Sequence, residues 1–219
     1  MKKLIIAAFL LAGFAPAFAQ EQAPKLYTLP SPYDRYTTYL VTARLTGAVP
    51  IGSFKNDYID KASFENYSIS LEWVLQNSFS IGGEIGYSYF KQRLPRALYT
   101  SGDQTISAIQ TRTVSQYPIQ AFVNYHFLPK SSAIQPYVQL SAGGSILDYT
   151  VYYGSLADQR QKIRPTYGVG VGSKFLFKKD GSFGADVRVK YAATSFKYDY
   201  LTSGISSLNT SIGLFYRWW

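Results

Sequence analysis

Residues 79–90 read FSIGGEIGYSYF. Phe79, Ile81, Ile85, Tyr87 and Tyr89 fall on one side of a two-residue period; Ser80, Gly82, Glu84, Gly86 and Ser88 fall on the other. Successive side chains of a strand point to opposite faces, so this is a strand with one apolar, aromatic face and one small, polar face. Its neighbours repeat the pattern. Tyr67, Ile69, Leu71 and Trp73 oppose Asn66, Ser68, Ser70 and Glu72; Ile119, Ala121, Val123, Tyr125 and Phe127 oppose Gln120, Phe122, Asn124 and His126. Further on, Phe183, Ala185, Val187, Val189 and Tyr191 oppose Gly184, Asp186, Arg188 and Lys190.

Extended along the chain, the period predicts eight strands, at 35–49, 64–74, 79–92, 111–127, 134–153, 162–177, 183–198 and 206–218. The connections alternate in length. Those at 75–78, 128–133 and 178–182 are short, and those at 50–63, 93–110, 154–161 and 199–205 are longer. Tight turns at one end and long loops at the other is the layout of an eight-stranded antiparallel up-and-down transmembrane β-barrel. About ten residues at ~3.3 Å rise, tilted by ~40°, span roughly the 25 Å of an apolar band. Lipid offers no partner for an unpaired N–H or C=O, so the last strand must close on the first.

A soluble barrel with an apolar interior has the same period. Three features turn the apolar face outward. The first is a pair of aromatic girdles. Trp73, Phe127, Phe175, Phe177, Tyr216 and Trp218 lie toward the short turns; Tyr67, Tyr87, Tyr89, Tyr117, Tyr167 and Tyr191 lie toward the long loops. The second is a polar face rich in Gly, Ser and Thr, which suits a narrow interior. The third is mixed charge on that face: Glu72, Glu84 and Asp186 against Arg44, Lys174, Arg188, Lys190 and Arg217. Eight strands enclose a space that side chains fill, so these groups are expected to interlock as a polar plug.

The start of the chain, MKKLIIAAFLLAGFAPAFA, reads as a signal peptide over 1–19. Lys2 and Lys3 precede an apolar run, and Ala17-Phe18-Ala19 fits the cleavage pattern, so the mature chain is expected to start at Gln20. Residues 20–34 carry three prolines and no period, as a loose N-terminal periplasmic segment; the barrel is expected over 35–219. Removing Lys2 and Lys3 takes the net charge from +9 to +7, without a dense basic run that would mark a nucleic-acid face. There is no cysteine, hence no disulfide framework. Twenty tyrosines and 14 phenylalanines with 16% charged residues suit a wall between water and lipid.

With GAVPIGSF at 47–54, PIQAFVNYHFLP at 118–129, IQPYVQLSAGGSI at 134–146 and GLFYRWW at 213–219, the chain resembles the small outer-membrane β-barrels of Gram-negative bacteria, the OmpA-, OmpX- and OmpW-like barrel domains. The loop style is similar to Bacteroidetes versions, and no peptidoglycan-binding domain follows the barrel. The resemblance implies a porin-like cell-envelope protein of the outer membrane, a monomer in contact with lipid and lipopolysaccharide and inserted by the barrel-assembly machinery. It also implies an insertion signal in Ile212, Leu214, Tyr216 and Trp218, with Trp219 one residue beyond the usual terminal aromatic.

The sequence carries no catalytic constellation. The single histidine, His126, is placed at the periplasmic rim facing inward, the wrong end for acyl transfer in the outer leaflet, and is read as a structural lumen residue. An omptin-like protease would need more strands and clustered acidic and histidine groups. Asp57, Asp60 and Glu65 lack a calcium-loop spacing, and GVGVG at 168–172 has no helix after it to make a phosphate loop. No catalytic, cofactor or metal residue is assigned. Lys55, Lys61, Arg93, Arg96, Arg112, Arg160, Lys162 and Arg164 lie on the long loops and strand tops, where they either meet lipopolysaccharide phosphates or are ordinary surface charge. The leading expectation is a non-enzymatic barrel serving envelope integrity or surface interaction through its loops. The alternative is an OmpW-like conduit or narrow pore for small apolar molecules, suggested by the inward-pointing Phe90, Phe122 and Leu176. A lipid A-modifying enzyme is disfavoured.

Overall fold

A computed structural model describes residues 37–219 apart from 76–77, 102–103, 155, 179, 197, 199–200 and 202–203, with backbone alone at 99–101 and 104–106. The expected signal peptide and loose segment, 1–34, lie outside the described residues. Eight strands follow one another: β1 (Thr38–Ile51), β2 (Ser63–Val74), β3 (Phe79–Ser101), β4 (Gln104–His126), β5 (Ile134–Tyr153), β6 (Leu156–Leu176), β7 (Phe183–Thr194) and β8 (Ile205–Trp218). Each pairs antiparallel with its neighbours, and β8 closes on β1 continuously from Tyr39↔Trp218 to Ile51↔Ser206. The terminal apolar strand is therefore not an edge.

The wall is inverted relative to a soluble barrel. Leu45 is 75% exposed, Ile212 66% and Leu140 64%, while Glu72, Lys174 and Asp186 inside are fully buried. That distribution is stable only if the outer face meets hydrocarbon, so this is a transmembrane barrel. Its periplasmic girdle is nearly continuous. Phe183 packs on Tyr216, Tyr216 on Trp218, Trp218 on Tyr39, and Tyr39 on Trp73, with ring centroids 4.9–6.1 Å apart. Phe79, Tyr125 and Phe127 continue it. At the other end Tyr87 packs between Tyr67 and Tyr117. Phe175, Phe177 and Tyr167 stand exposed on the same wall.

The expected long loops are corrected by the strand bounds. Most of 93–110 and 154–161 is strand, because β3 and β4 stay paired out to Ser101↔Gln104 and β5 and β6 out to Tyr153↔Leu156. A register shift between Arg93 and Arg96, where Pro95 withholds a donor, marks the one irregularity of the β3–β4 ladder. The outer strands stop sooner. β2 pairs with β3 only as far as Tyr67↔Tyr87, and β7 pairs with β6 only as far as Thr166↔Thr194. Beyond those points β3–β6 continue as a four-stranded sheet, while β1 stays paired with β2 to Ala48↔Ser63 and with β8 to Ile51↔Ser206. β7 ends at Thr194, four residues earlier than its period predicts. The 52–62 connection is not plain loop but contains a π-helical turn, Phe54–Tyr58.

Candidate functional site

The middle of the lumen is an ion network drawn from six strands, all but β6 and β8. Arg44 on β1 donates through Nε to Asp186 Oδ2 at 2.6 Å, and through Nη1 to Ser70 Oγ at 2.7 Å and Glu84 Oε2 at 3.4 Å. Arg188 donates to the same Glu84 Oε2 and, at 2.9 Å, to Gln139 Oε1. Lys190 donates to Glu84 Oε1 at 3.0 Å and Gln120 Oε1 at 2.6 Å. Tyr137 adds its hydroxyl to Asp186 Oδ1 at 2.9 Å. Every carboxylate oxygen in this layer accepts a charged or phenolic donor, as burial of charge requires.

Glycines make room for these side chains. Gly213 pairs across the ladder with Arg44, Gly172 with Tyr137 and Gly82 with Phe122. A Cβ on Gly213 would come within 2.7 Å of Arg44 Cγ, and one on Gly172 or Gly82 within 2.6 Å of the facing ring. The GVGVG run of β6 is thus a packing device: each bulky lumen residue lies over a bare backbone on the next strand.

Nearer the periplasm a second cluster forms. Lys174 Nζ holds both oxygens of Glu72, at 2.7 and 2.6 Å. Ser80 Oγ donates to Glu72 Oε1 at 2.6 Å, and His126 Nε2 lies 3.0 Å from Ser80 Oγ and 3.1 Å from Glu72 Oε1. A serine, a histidine and a carboxylate in contact invite comparison with a hydrolase triad. The connectivity argues otherwise: serine and glutamate meet the same ring nitrogen, so no carboxylate orients the opposite one, and the serine proton is directed at the carboxylate. Ser80 is fully buried. A cavity of about 460 Å³ opens below, lined by His126, Lys174, Lys130 and Gln135, but not by Ser80. Arg217 is at this mouth rather than in the network, donating to the carbonyls of Gly181 and Lys130 at 2.7 Å each.

Apolar clusters lie toward both ends. Below, Leu40, Val74, Leu176 and Phe215 form a small cluster. Above, Phe54, Tyr58 and Ile59 of the first connection fold into the barrel mouth and meet Phe90, Val114, Tyr149, Phe196 and Leu201. Tyr58 stacks on Tyr149 at 4.9 Å, and Phe54 meets Phe90 edge-on at 5.2 Å. Arg112 covers the Tyr58 ring at 5.3 Å. The last connection is tied down by Tyr198, whose hydroxyl donates to Asp158 and accepts from Arg160 Nε at 2.9 Å. That contact raises the Arg160 guanidinium above its ordinary value. This outer cap has no strand period and is not legible from alternation. The inward residues suggested as a conduit are split up: Phe90 in the cap, Phe122 against Gly82, Leu176 in the lower cluster.

The second surface feature is the protruding sheet. Among the described residues, β6 takes one more bond above Thr166, from the Ser195 N–H to the Pro165 carbonyl at 3.1 Å, and none beyond it; above Tyr87, β3 has no ladder partner on its outer side. The Asn66 side chain accepts the first such N–H, that of Tyr89, at 2.8 Å. Because N–H direction alternates along a strand, those of Lys91 and Arg93 point the same way.

No protein-family model and no curated protein matches the chain. Among solved structures, Neisserial surface protein A is similar, with a TM-score of 0.50 at 15% identity over 82% of this chain and 96% of that one. The outer membrane protein OprG of Pseudomonas aeruginosa gives 0.49 at 11% identity, over 83% and 95% of the two chains. The outer membrane protease OmpT of Escherichia coli gives 0.40 at 8%, over 90% and 100%. At such identities the likeness is one of fold, and the fold is that of the small eight-stranded outer-membrane barrels.

Proposed function

We infer that this outer-membrane barrel is a non-enzymatic surface protein, closed to solutes, whose protruding sheet binds extended segments of external polypeptides. The observation that carries the reading is the mismatch of registers. Four strands run on past the point where β2 and β7 stop, leaving backbone donors and acceptors on two sheet edges in water. Such edges are templates for strand addition. A barrel whose role was only to span the membrane would have no need of them.

The conduit reading lacks a path, since a layer of interlocked ions separates the two apolar clusters. Among the described residues no nucleophile–base pair lies near the outer leaflet to support the lipid A-modifying reading; the Ser80–His126–Glu72 cluster is buried at the opposite end. The basic residues of the upper rim support contact with lipopolysaccharide phosphates, which would hold the barrel upright and the sheet clear of the membrane.

Proline substitution tests the reading without disturbing the barrel. Proline is tolerated on an edge strand where its missing N–H faced solvent. Lys91→Pro and Arg93→Pro each remove an edge donor and leave the β3–β4 ladder in place. Cells carrying them should display the barrel at normal levels and lose adhesion to polypeptide-coated surfaces to the extent that a deletion strain does. Undiminished adhesion by the proline variants, beside a deletion strain that has lost it, would move the interaction away from the sheet edge.

A further inference from the structure

We propose that the lumen binds one small monovalent anion of halide size, in the cavity between the ion network and the outer cap. The charges of the network do not balance. Arg44, Arg188 and Lys190 face only Glu84 and Asp186, while in the lower cluster Lys174 and Glu72 cancel. One positive charge is left over inside an apolar wall, where an uncompensated ion is among the costliest features a fold can carry.

The space to compensate it lies directly above. A cavity of about 50 Å³ is bounded by Ser68, Gln116, Asn209, Arg188 and Lys190. A single water needs roughly 10–15 Å³ of such volume, so the cavity admits an ion of halide size with a water or two, and nothing as bulky as a sugar phosphate. The residues around it include three with a polar atom that has no hydrogen-bond partner among the described residues: Gln116 Nε2, Arg188 Nε and Ser68 Oγ. These three residues are at least nine-tenths buried. Glu84 also borders the cavity, but both of its oxygens are taken, Oε1 by Lys190 and Oε2 by Arg188 and Arg44. The residues around the cavity therefore carry surplus positive charge and unpartnered N–H and O–H groups, a setting for a small anion and not for a cation. The aromatic cap above it would make exchange with bulk solvent slow, so the ion would be taken up as the barrel forms.

The full chain refolded into detergent micelles in sodium bromide, against sodium gluconate at equal ionic strength, gives the test. Bromide fits the cavity and gluconate does not. Crystals grown from the bromide preparation should show one anomalous peak within hydrogen-bond distance of Lys190 or Gln116, and an empty or water-filled cavity would overturn the proposal. In solution the unfolding midpoint should rise with the logarithm of bromide concentration, by on the order of 5 °C across the range above the dissociation constant. Equal midpoints in the two salts would overturn the proposal equally, and would mean that the surplus charge is shed as a proton. Lys190→Met removes that charge, and should abolish the bromide dependence, whereas Lys162→Met on the exposed outer strand should leave it intact. A purely structural role for Lys190 would lower the midpoint in both salts alike and keep their difference.

Discussion

Glu84 is the hinge of the lumen at the residue scale, for it alone faces three cations. Glu84→Gln keeps the shape and removes the charge, stranding Arg44, Arg188 and Lys190 beside a single remaining carboxylate. The variant should be less stable by about 3–5 kcal/mol in urea unfolding from phospholipid vesicles. A loss under about 0.5 kcal/mol, the size of an ordinary surface change, would mean that water already screens the site. Gly172→Ala tests the packing rule. Its Cβ would press on the Tyr137 ring, loosening the hydroxyl from Asp186, and should cost about 1–3 kcal/mol. That these residues face inward is readable from alternation; which meets which is not. Arg44 and Asp186 are 142 positions apart, and Arg188 and Glu84 are 104 apart. Ser80 was visible only as a small polar residue on the inner face, and its contact with His126 depends on the β3–β4 register.

The elements divide at the membrane surface. Within the wall, period two reports strands faithfully because one face is apolar and the other polar. Above it the outer face carries polar residues too, and the inner face mixes polar and apolar ones such as Ala108 and Gln110, so the contrast fades while the ladder continues. That is why RLPR at 93–96 and QTISAIQ at 104–110 read as loop and fold as strand. Removing 94–106 should therefore leave the barrel folded, seen as an unchanged heat-dependent shift on gels; loss of the folded band would make the protrusion part of the core. The opposite holds for β8. Trp218 stacks on Tyr39 across the closing seam, and Ile212, Leu214 and Tyr216 present a lipid-facing row. Replacing Trp218 and Trp219 together by Asp puts charge at the girdle and removes the proposed insertion signal. Outer-membrane yield should fall at least tenfold, and a normal yield would refute that role.

At the scale of the whole molecule the design is a closed cylinder turned inside out, with hydrocarbon taking the place of the core outside and ions taking it inside. Strand number, antiparallel order and closure were legible because lipid forbids an open edge and eight strands at this length leave few alternatives. The outer cap was not, since Phe54, Tyr58, Phe196 and Leu201 sit in connections without a period and converge only once the barrel has closed. Cap, ion layer and lower cluster lie in series along one axis, and each must be breached before a solute passes. The most direct test is the single-channel conductance of the refolded barrel in a planar bilayer, with folding verified by its gel shift. The expected result is no steady current at moderate voltage from the wild type. A stable ohmic conductance from demonstrably folded protein would contradict the closed lumen and make transport the reading to pursue.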